Sequence, residues 1–162
     1  MNLFVLDLMP VTAATYNCDR HVVKIILEAV EMMAYAYDLG KFKPLPRFLK
    51  TGRHLNHPMS KWVRGSRQNF DWTYQHTVAL CDEFVFRYEH EHSYRPHVTW
   101  IGLNMPVFNL PDIGMTDSPR CFGPWKDSVG VTDDVVYDYR RYYMAAKRFA
   151  TWKKRPTPEW YR

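Results

Sequence analysis

The run CDRHVVKIILE, residues 18–28, gathers Asp19, His21, Lys24 and Glu28 in one short stretch. On a helix, His21, Lys24, Glu28, Glu31 and Tyr35 follow one another at spacings of three and four and make a single stripe. Val22, Val23, Ile26, Ala29, Val30 and Met33 make an apolar face, which predicts a central helix with its back in the core. A polar stripe on such a helix faces solvent or lines a cleft. As a surface feature, Lys24 and Glu28 are an i, i+4 pair in the less favoured order, worth about a few tenths of a kcal/mol. As the lining of a pocket, Asp19, His21, Lys24 and Glu28 are candidate catalytic residues. A lysine with a lowered pKa would attack an electrophilic carbon while a carboxylate acts as base or stabilises a cation.

A second constellation is HPMSKWVRGSRQNFDW, residues 57–72. Lys61, Arg64, Arg67 and Asp71 share one helical stripe, and Trp62, Ser66, Asn69 and Thr73 share its neighbour. Basic side chains beside Ser and Asn suit phosphate contacts, and Asn69 directed into a cleft would read a base edge; Trp62 is expected in the core. The alternative is an ordinary basic helix face. In a third run, residues 83–97, His90 and His92 alternate, with His97 and Cys121 as further donors. The spacing is loose and Glu89 and Glu91 compete, so no metal site is predicted. Glu83 and Arg87 read as a structural i, i+4 pair. Glycine-rich phosphate loops, HEXXH, GxSxG and the zinc-deaminase arrangement are all missing from the sequence, and no cofactor is predicted.

The net charge of +5 conceals two cationic windows. Lys41, Lys43, Arg47, Lys50, Arg53, Lys61, Arg64 and Arg67 lie between Asp38 and Asp71 with no acid among them. Arg140, Arg141, Lys147, Arg148, Lys153, Lys154 and Arg155 lie likewise between Asp138 and Glu159. These windows hold 15 of the 22 basic residues, so the remainder of the chain is acidic. Both are interleaved with aromatics (Phe42, Phe48, Trp62, Phe70; Tyr139, Tyr142, Tyr143, Phe149, Trp152), a pattern that favours nucleic acid over a merely solvated surface. The residues expected to contact it are Lys50, Arg53, Lys61, Arg64, Arg67, Asn69, Arg140, Arg141 and Lys147.

The elements that must position these groups follow from periodicity and punctuation. Residues 2–8 read as a short strand ended by Pro10, and Thr12 as the cap of a first helical turn. Residues 19–38 read as a helix with Asp19 as N-cap and Gly40 as stop. Residues 41–58, with Pro44, Pro46, Gly52 and Pro58, read as a long basic loop. A second long helix is expected over residues 58–88, broken or weakened near Gly65, and a last one over residues 132–152. Residues 90–131 carry five prolines and read as irregular with short turns. Trp160 and Tyr161 are expected to dock onto the body. The fold class is therefore mainly α: a single helical domain, residues 1–162, with a short N-terminal strand and long Pro-rich loops. Hydrophobic residues at 46% supply a core and exclude a disordered chain. A mean hydropathy of −0.44, with no long apolar run, predicts a soluble protein without a membrane partner. The opening MNLFVLDLMP is too short and too acidic for a signal-peptide core, and three scattered cysteines suit a reducing, cytoplasmic setting.

The strings MNLFVLD, CDRHVVKIILE, NHPMSKW, ALCDEFVFRY, DDVVYDYRRYY and WKKRPTPEW together resemble a family of small phage and bacterial proteins, most of them without an assigned activity. The resemblance spans nearly the whole chain, with HVVK and the downstream HP–W pair as its most specific parts. It implies a setting in phage DNA metabolism and a host-cell cytoplasm. A weaker likeness is to helical proteins that excise or modify pyrimidines in phage DNA; it transfers no catalytic role to any residue. The first expectation is accordingly an enzyme acting on a modified or damaged pyrimidine in DNA, most simply a DNA glycosylase. Group transfer to a hydroxymethyl pyrimidine, non-catalytic binding of nucleic acid, and an enzyme on free nucleotides remain as alternatives.

Overall fold

The computed structural model describes residues 2–40, 54–106 and 109–162, with the backbone alone at 38–40. Seven α-helices are found among them: α1 (Pro10–Tyr16), α2 (Asp19–Gly40), α3 (Pro58–Val63), α4 (Arg67–Tyr88), α5 (Arg95–Leu103), α6 (Lys126–Val129) and α7 (Val135–Ala146), with a 3₁₀ turn at Gly123–Trp125. The fold is mainly α. α4 packs against both α1 and α2, and α2 also meets α3 and α5.

α2 is the central helix. Val22, Ile25, Ile26, Ala29, Val30, Met32 and Met33 are all buried. Its N-cap differs from expectation. The amides of His21 and Val22 bond the Cys18 carbonyl, while the Asp19 side chain is taken by Arg87, Thr151 and Lys153. The helix pattern over 58–88 is interrupted at 64–66. Ser66 starts α4 by accepting the Asn69 amide at 3.1 Å, and a Cβ at Gly65 would lie only 3.1 Å from the Trp62 carbonyl. α7 is shorter than expected: Asp134, not Thr132, caps it by accepting the Tyr137 amide. Thr132 is drawn off by Asp138, which accepts its amide and hydroxyl.

Two expectations are overturned. α5 forms inside the stretch read as irregular, because Pro96 occupies the first turn, where no amide is needed, and so starts a helix that it would break elsewhere. The expected strand over residues 2–8 is not formed, and no strand occurs among the described residues. Leu3, Phe4, Val5 and Leu6 are buried, but the segment runs among helices whose amides and carbonyls are already bonded. Side chains serve it instead: Glu28 accepts the Asn2 amide and Arg140 donates to the Leu6 carbonyl. Phe4 stacks on His21 of α2 and on Tyr142 of α7, placing the segment between these two helices.

The C-terminal tail docks. Trp152 donates to the Tyr16 carbonyl and Tyr161 to the Lys147 carbonyl. Trp160 meets Tyr16 and Tyr143 edge-on.

Candidate functional site

The stripe of α2 opens into a cleft of about 300 Å³ lined by Asn2, Phe4, His21, Lys24, Glu28, Cys121, Phe122, Trp125, Tyr142 and Lys147. Four separate stretches build it: the buried N-terminal segment, the first turns of α2, the turn at 121–125 and the end of α7. Its walls are aromatic. Phe4 stacks on His21 with centroids 4.4 Å apart, Phe122 stacks on Tyr142 at 4.6 Å, and Trp125 stands half-exposed at the rim.

The charges sit on this apolar frame. Glu28 is buried, its Oε2 accepting the Asn2 amide at 2.9 Å and its Oε1 lying 3.2 Å from Lys24 Nζ. The Lys24 side chain keeps 69% of its exposure, so its amine reaches the cleft mouth. Lys147 Nζ donates to Tyr142 Oη at 3.2 Å and lies 4.9 Å from the centre of that ring. His21 shares a 2.6 Å hydrogen bond with Tyr143 Oη. Burial first, and then the ammonium groups of Lys147 and Lys24, push its pKa down to about 3. His21 is therefore neutral at physiological pH and is no proton shuttle there, because an acid–base catalyst needs a pKa near the working pH.

The other expected residues are placed as follows. Asp19 does not line the cleft. Its carboxylate is held by Arg87 at 3.0 Å, by the Thr151 hydroxyl and by the Lys153 amide. Arg87 is wholly buried and also grips Glu83, so this pair is the core of a closed ionic network, with Arg155 on the far oxygen of Glu83. Asn69 is a clamp and does not face a cleft: it donates to the Trp62 carbonyl and Thr116 Oγ1 and accepts the Thr116 amide, which uses up its amide group. Trp62 is buried and donates to the Thr116 carbonyl. Arg67 pairs with Asp112 at 3.2 Å. Arg140 donates to the Leu6 carbonyl, pairs with Asp7 and lies between the rings of Tyr16 and Trp160. Arg141 lies over Tyr137, Lys61 is exposed on α3, and burial lowers the pKa of Arg64. Lys50 and Arg53 fall outside the described residues. Of the expected phosphate contacts, Lys147 alone among the described residues lines the cleft.

Asn2, Phe4, Phe122, Trp125 and Tyr143 were not anticipated as parts of the site. Their signal was faint: an aromatic-rich α7 and a Gly-Pro-Trp turn in a stretch read as irregular. Among the described residues no group of three His, Cys, Asp or Glu side chains is arranged to hold a metal. His92 is bonded to the Val23 carbonyl and the Tyr94 amide, and His97 stacks on Tyr94. All three cysteines are unpaired. No helix among the described residues is long and apolar enough to cross a membrane.

Two larger cavities lie elsewhere. One of about 550 Å³ between α1 and α4 is mainly apolar, and the charges on it belong to the Glu83–Arg155 pair and to Asp82, which Arg95 holds. One of about 620 Å³ adjoins the cleft across Cys121, Phe122 and Gly123, with His57 and Lys126 on its walls. The first holds no ring nitrogen, and in the second the carboxylate, Asp117, is exposed and already paired with Arg120. Compared with known protein families, curated proteins and solved structures, the chain finds no match.

Proposed function

We propose that this chain is an enzyme acting on a modified or damaged pyrimidine in DNA, most simply a DNA glycosylase. One observation carries the reading: the ionisable stripe of α2 opens into an aromatic-walled cleft that also receives Lys147 from the second cationic window. The cleft is at the small end of ligand sites, which suits one extruded base and part of its sugar. The aromatic walls supply stacking surfaces for that base, and Lys147 a cation for a flanking phosphate.

In this reading the C1′–N1 bond breaks and its electron pair leaves with the base, so C1′ becomes cationic. The Glu28 carboxylate stabilises that cation and takes the proton of the water that adds at C1′. Lys24 supplies the alternative nucleophile: its amine, after passing a proton to Glu28, adds at C1′ and opens the sugar to a Schiff base. The same cleft would serve group transfer to the hydroxyl of a hydroxymethyl pyrimidine.

A second reading, an enzyme on free nucleotides, is favoured by one feature. Arg67 and Arg140, expected on phosphates, are already held by Asp112 and Asp7. The two readings separate by salt: binding to a DNA strand falls with a slope of about −0.9 per phosphate neutralised, and binding of a mononucleotide falls less steeply.

The test is base release from oligonucleotides carrying single modified pyrimidines, with borohydride trapping on an abasic-site oligonucleotide. The glycosylase reading expects base release that Glu28→Gln slows by about 10² or more. A covalent adduct lost in Lys24→Ala assigns the lysine as nucleophile. Release of no base across the panel, with no adduct from the wild type, overturns it.

A further inference from the structure

Tyr143 and His21 lie 122 residues apart in sequence, yet Tyr143 Oη and His21 Nδ1 are 2.6 Å apart. The direction of that bond follows from a second one. The backbone N–H of Cys18 donates to the same Oη at 2.8 Å, so the oxygen already serves as an acceptor. The hydroxyl proton then goes to Nδ1, 2.6 Å away and a stronger acceptor than the Cys18 thiol, the other side chain within its reach. Nδ1 accepts, and the single proton of a neutral imidazole is left on Nε2. Phe4, Tyr143 at 5.2 Å and Phe149 at 6.0 Å fix the plane of the ring, and a half-turn within that plane would put a carbon against Tyr143 Oη and forfeit the 2.6 Å bond. Tyr143 itself is fully buried, and burial raises its pKa well above the usual value, which keeps the hydroxyl a donor. Nε2 takes no protein partner among the described residues, and the cleft is the cavity that His21 lines.

We propose that His21 is a fixed, neutral N–H donor that takes a carbonyl oxygen of the substrate, with Tyr143 as its positioning residue. The ligand it selects is a pyrimidine presenting its O2 edge to the cleft. This assignment rests on the base-acting reading above. When the C1′–N1 bond breaks, its electron pair enters the ring and spreads onto O2. A donor already aimed at that oxygen, with the Lys147 ammonium in the same cleft, stabilises the charge without transferring a proton. The histidine thus acts by its hydrogen bond, and the acid–base work falls to Glu28.

Two-bond nitrogen–proton correlation spectra of the ¹⁵N-labelled protein between pH 5 and 8 test the donor. The His21 ring is expected as the Nε2–H tautomer throughout, and Tyr143→Phe is expected to mix the two tautomers. An imidazolium, or an Nδ1–H ring, in the wild type overturns the proposal whether or not Tyr143→Phe folds. The ligand is tested with a single-stranded oligonucleotide carrying one central deoxyuridine and with its twin carrying a tetrahydrofuran spacer there. The Nε2 signal is expected to move with the first and not with the second. His21→Ala is expected to weaken binding of the deoxyuridine strand about tenfold, and His21→Gln, which keeps an N–H donor, to restore most of it. Binding with an unmoved Nε2 signal, or equal movement with both strands, overturns the donor assignment alone. Binding of neither strand overturns the base-acting reading, and with it the ligand named here.

Discussion

Glu28 Oε2 accepts the backbone N–H of Asn2 at 2.9 Å, tying the N-terminal segment to the middle of α2. The bond does two things at once. It satisfies an amide that has no helical or strand partner, and it holds one carboxylate oxygen so that the other faces Lys24 at the cleft. A residue read from spacing as chemical is therefore also a fastening of the core.

The dual role separates on substitution. Glu28→Gln keeps an oxygen for the Asn2 amide and is expected to change stability by less than about 1 kcal/mol. Glu28→Ala leaves that buried amide unpaired and is expected to cost about 1–3 kcal/mol in urea unfolding. Under the proposed function, Glu28→Gln also lowers turnover by about 10² or more, the usual contribution of a positioned base. Equal stability losses in the two variants would remove the fastening role.

Arg87 has no exposed side-chain surface, and its guanidinium is filled by Glu83, Asp19 and the carbonyls of Thr15 and Asn17. Arg87→Met uncovers two acids that remain in place, and an expected loss of about 3–5 kcal/mol follows. Arg155→Met removes the partly exposed arm of the same network and is expected to cost about 1 kcal/mol or less. Thermal melts of the two variants check the contrast; similar losses would mean that Arg87 is not the centre of the network.

Stability should fall as pH drops below about 6.5. Burial pushes the pKa of His21 and of His76 down to about 3. Between pH 6.5 and 3 the unfolded chain binds protons that the folded chain refuses, so acid favours unfolding, by up to about 1.4 kcal/mol per pH unit for each histidine. Burial lowers His57 and His92 in the same direction. Urea midpoints at pH 5 and 7 measure the slope, and His21→Gln with His76→Gln should flatten it. A slope unchanged in that double variant would show that these rings are protonated in the fold.

Arg140 and Lys147 are neighbours in one cationic window, yet they should respond oppositely. Arg140→Ala breaks contacts to Leu6, Asp7, Tyr16 and Trp160 and is expected to cost about 1–2 kcal/mol of stability with the salt slope of nucleic-acid binding unchanged. Lys147→Ala is expected to leave stability within about 1 kcal/mol and to reduce that slope by about one phosphate. Asn69→Ala belongs with Arg140: it frees the loop at Thr116 and destabilises by about 2 kcal/mol without a change in base preference. A binding defect in Arg140→Ala at full stability would reverse this division.

Much of the helical framework was legible because the relevant spacings are local. The stripe on α2, the break near Gly65 and the Glu83–Arg87 pair each involve residues within a few helical turns of one another. The proline of α5 misled because its meaning depends on position: in a first turn it starts a helix that it would end elsewhere. The N-terminal segment misled for a different reason. Its burial was readable from Leu3 to Leu6, but a strand also needs a second strand, and the fold surrounds this one with helices.

From its own order of residues this chain determined which helix is central, which of its faces is ionisable, and where its cations are concentrated. Only the tertiary structure decided which of those charges remain available. Asp19 and Arg140 look on paper like Glu28 and Lys147, and each is taken by a partner more than 60 residues away, Arg87 at a separation of 68 and Asp7 at 133. A charge that is matched through space is held in place by its partner, and one left beside an open cleft keeps its field for a ligand. That difference rests on distance and burial, which adjacency along the chain does not encode.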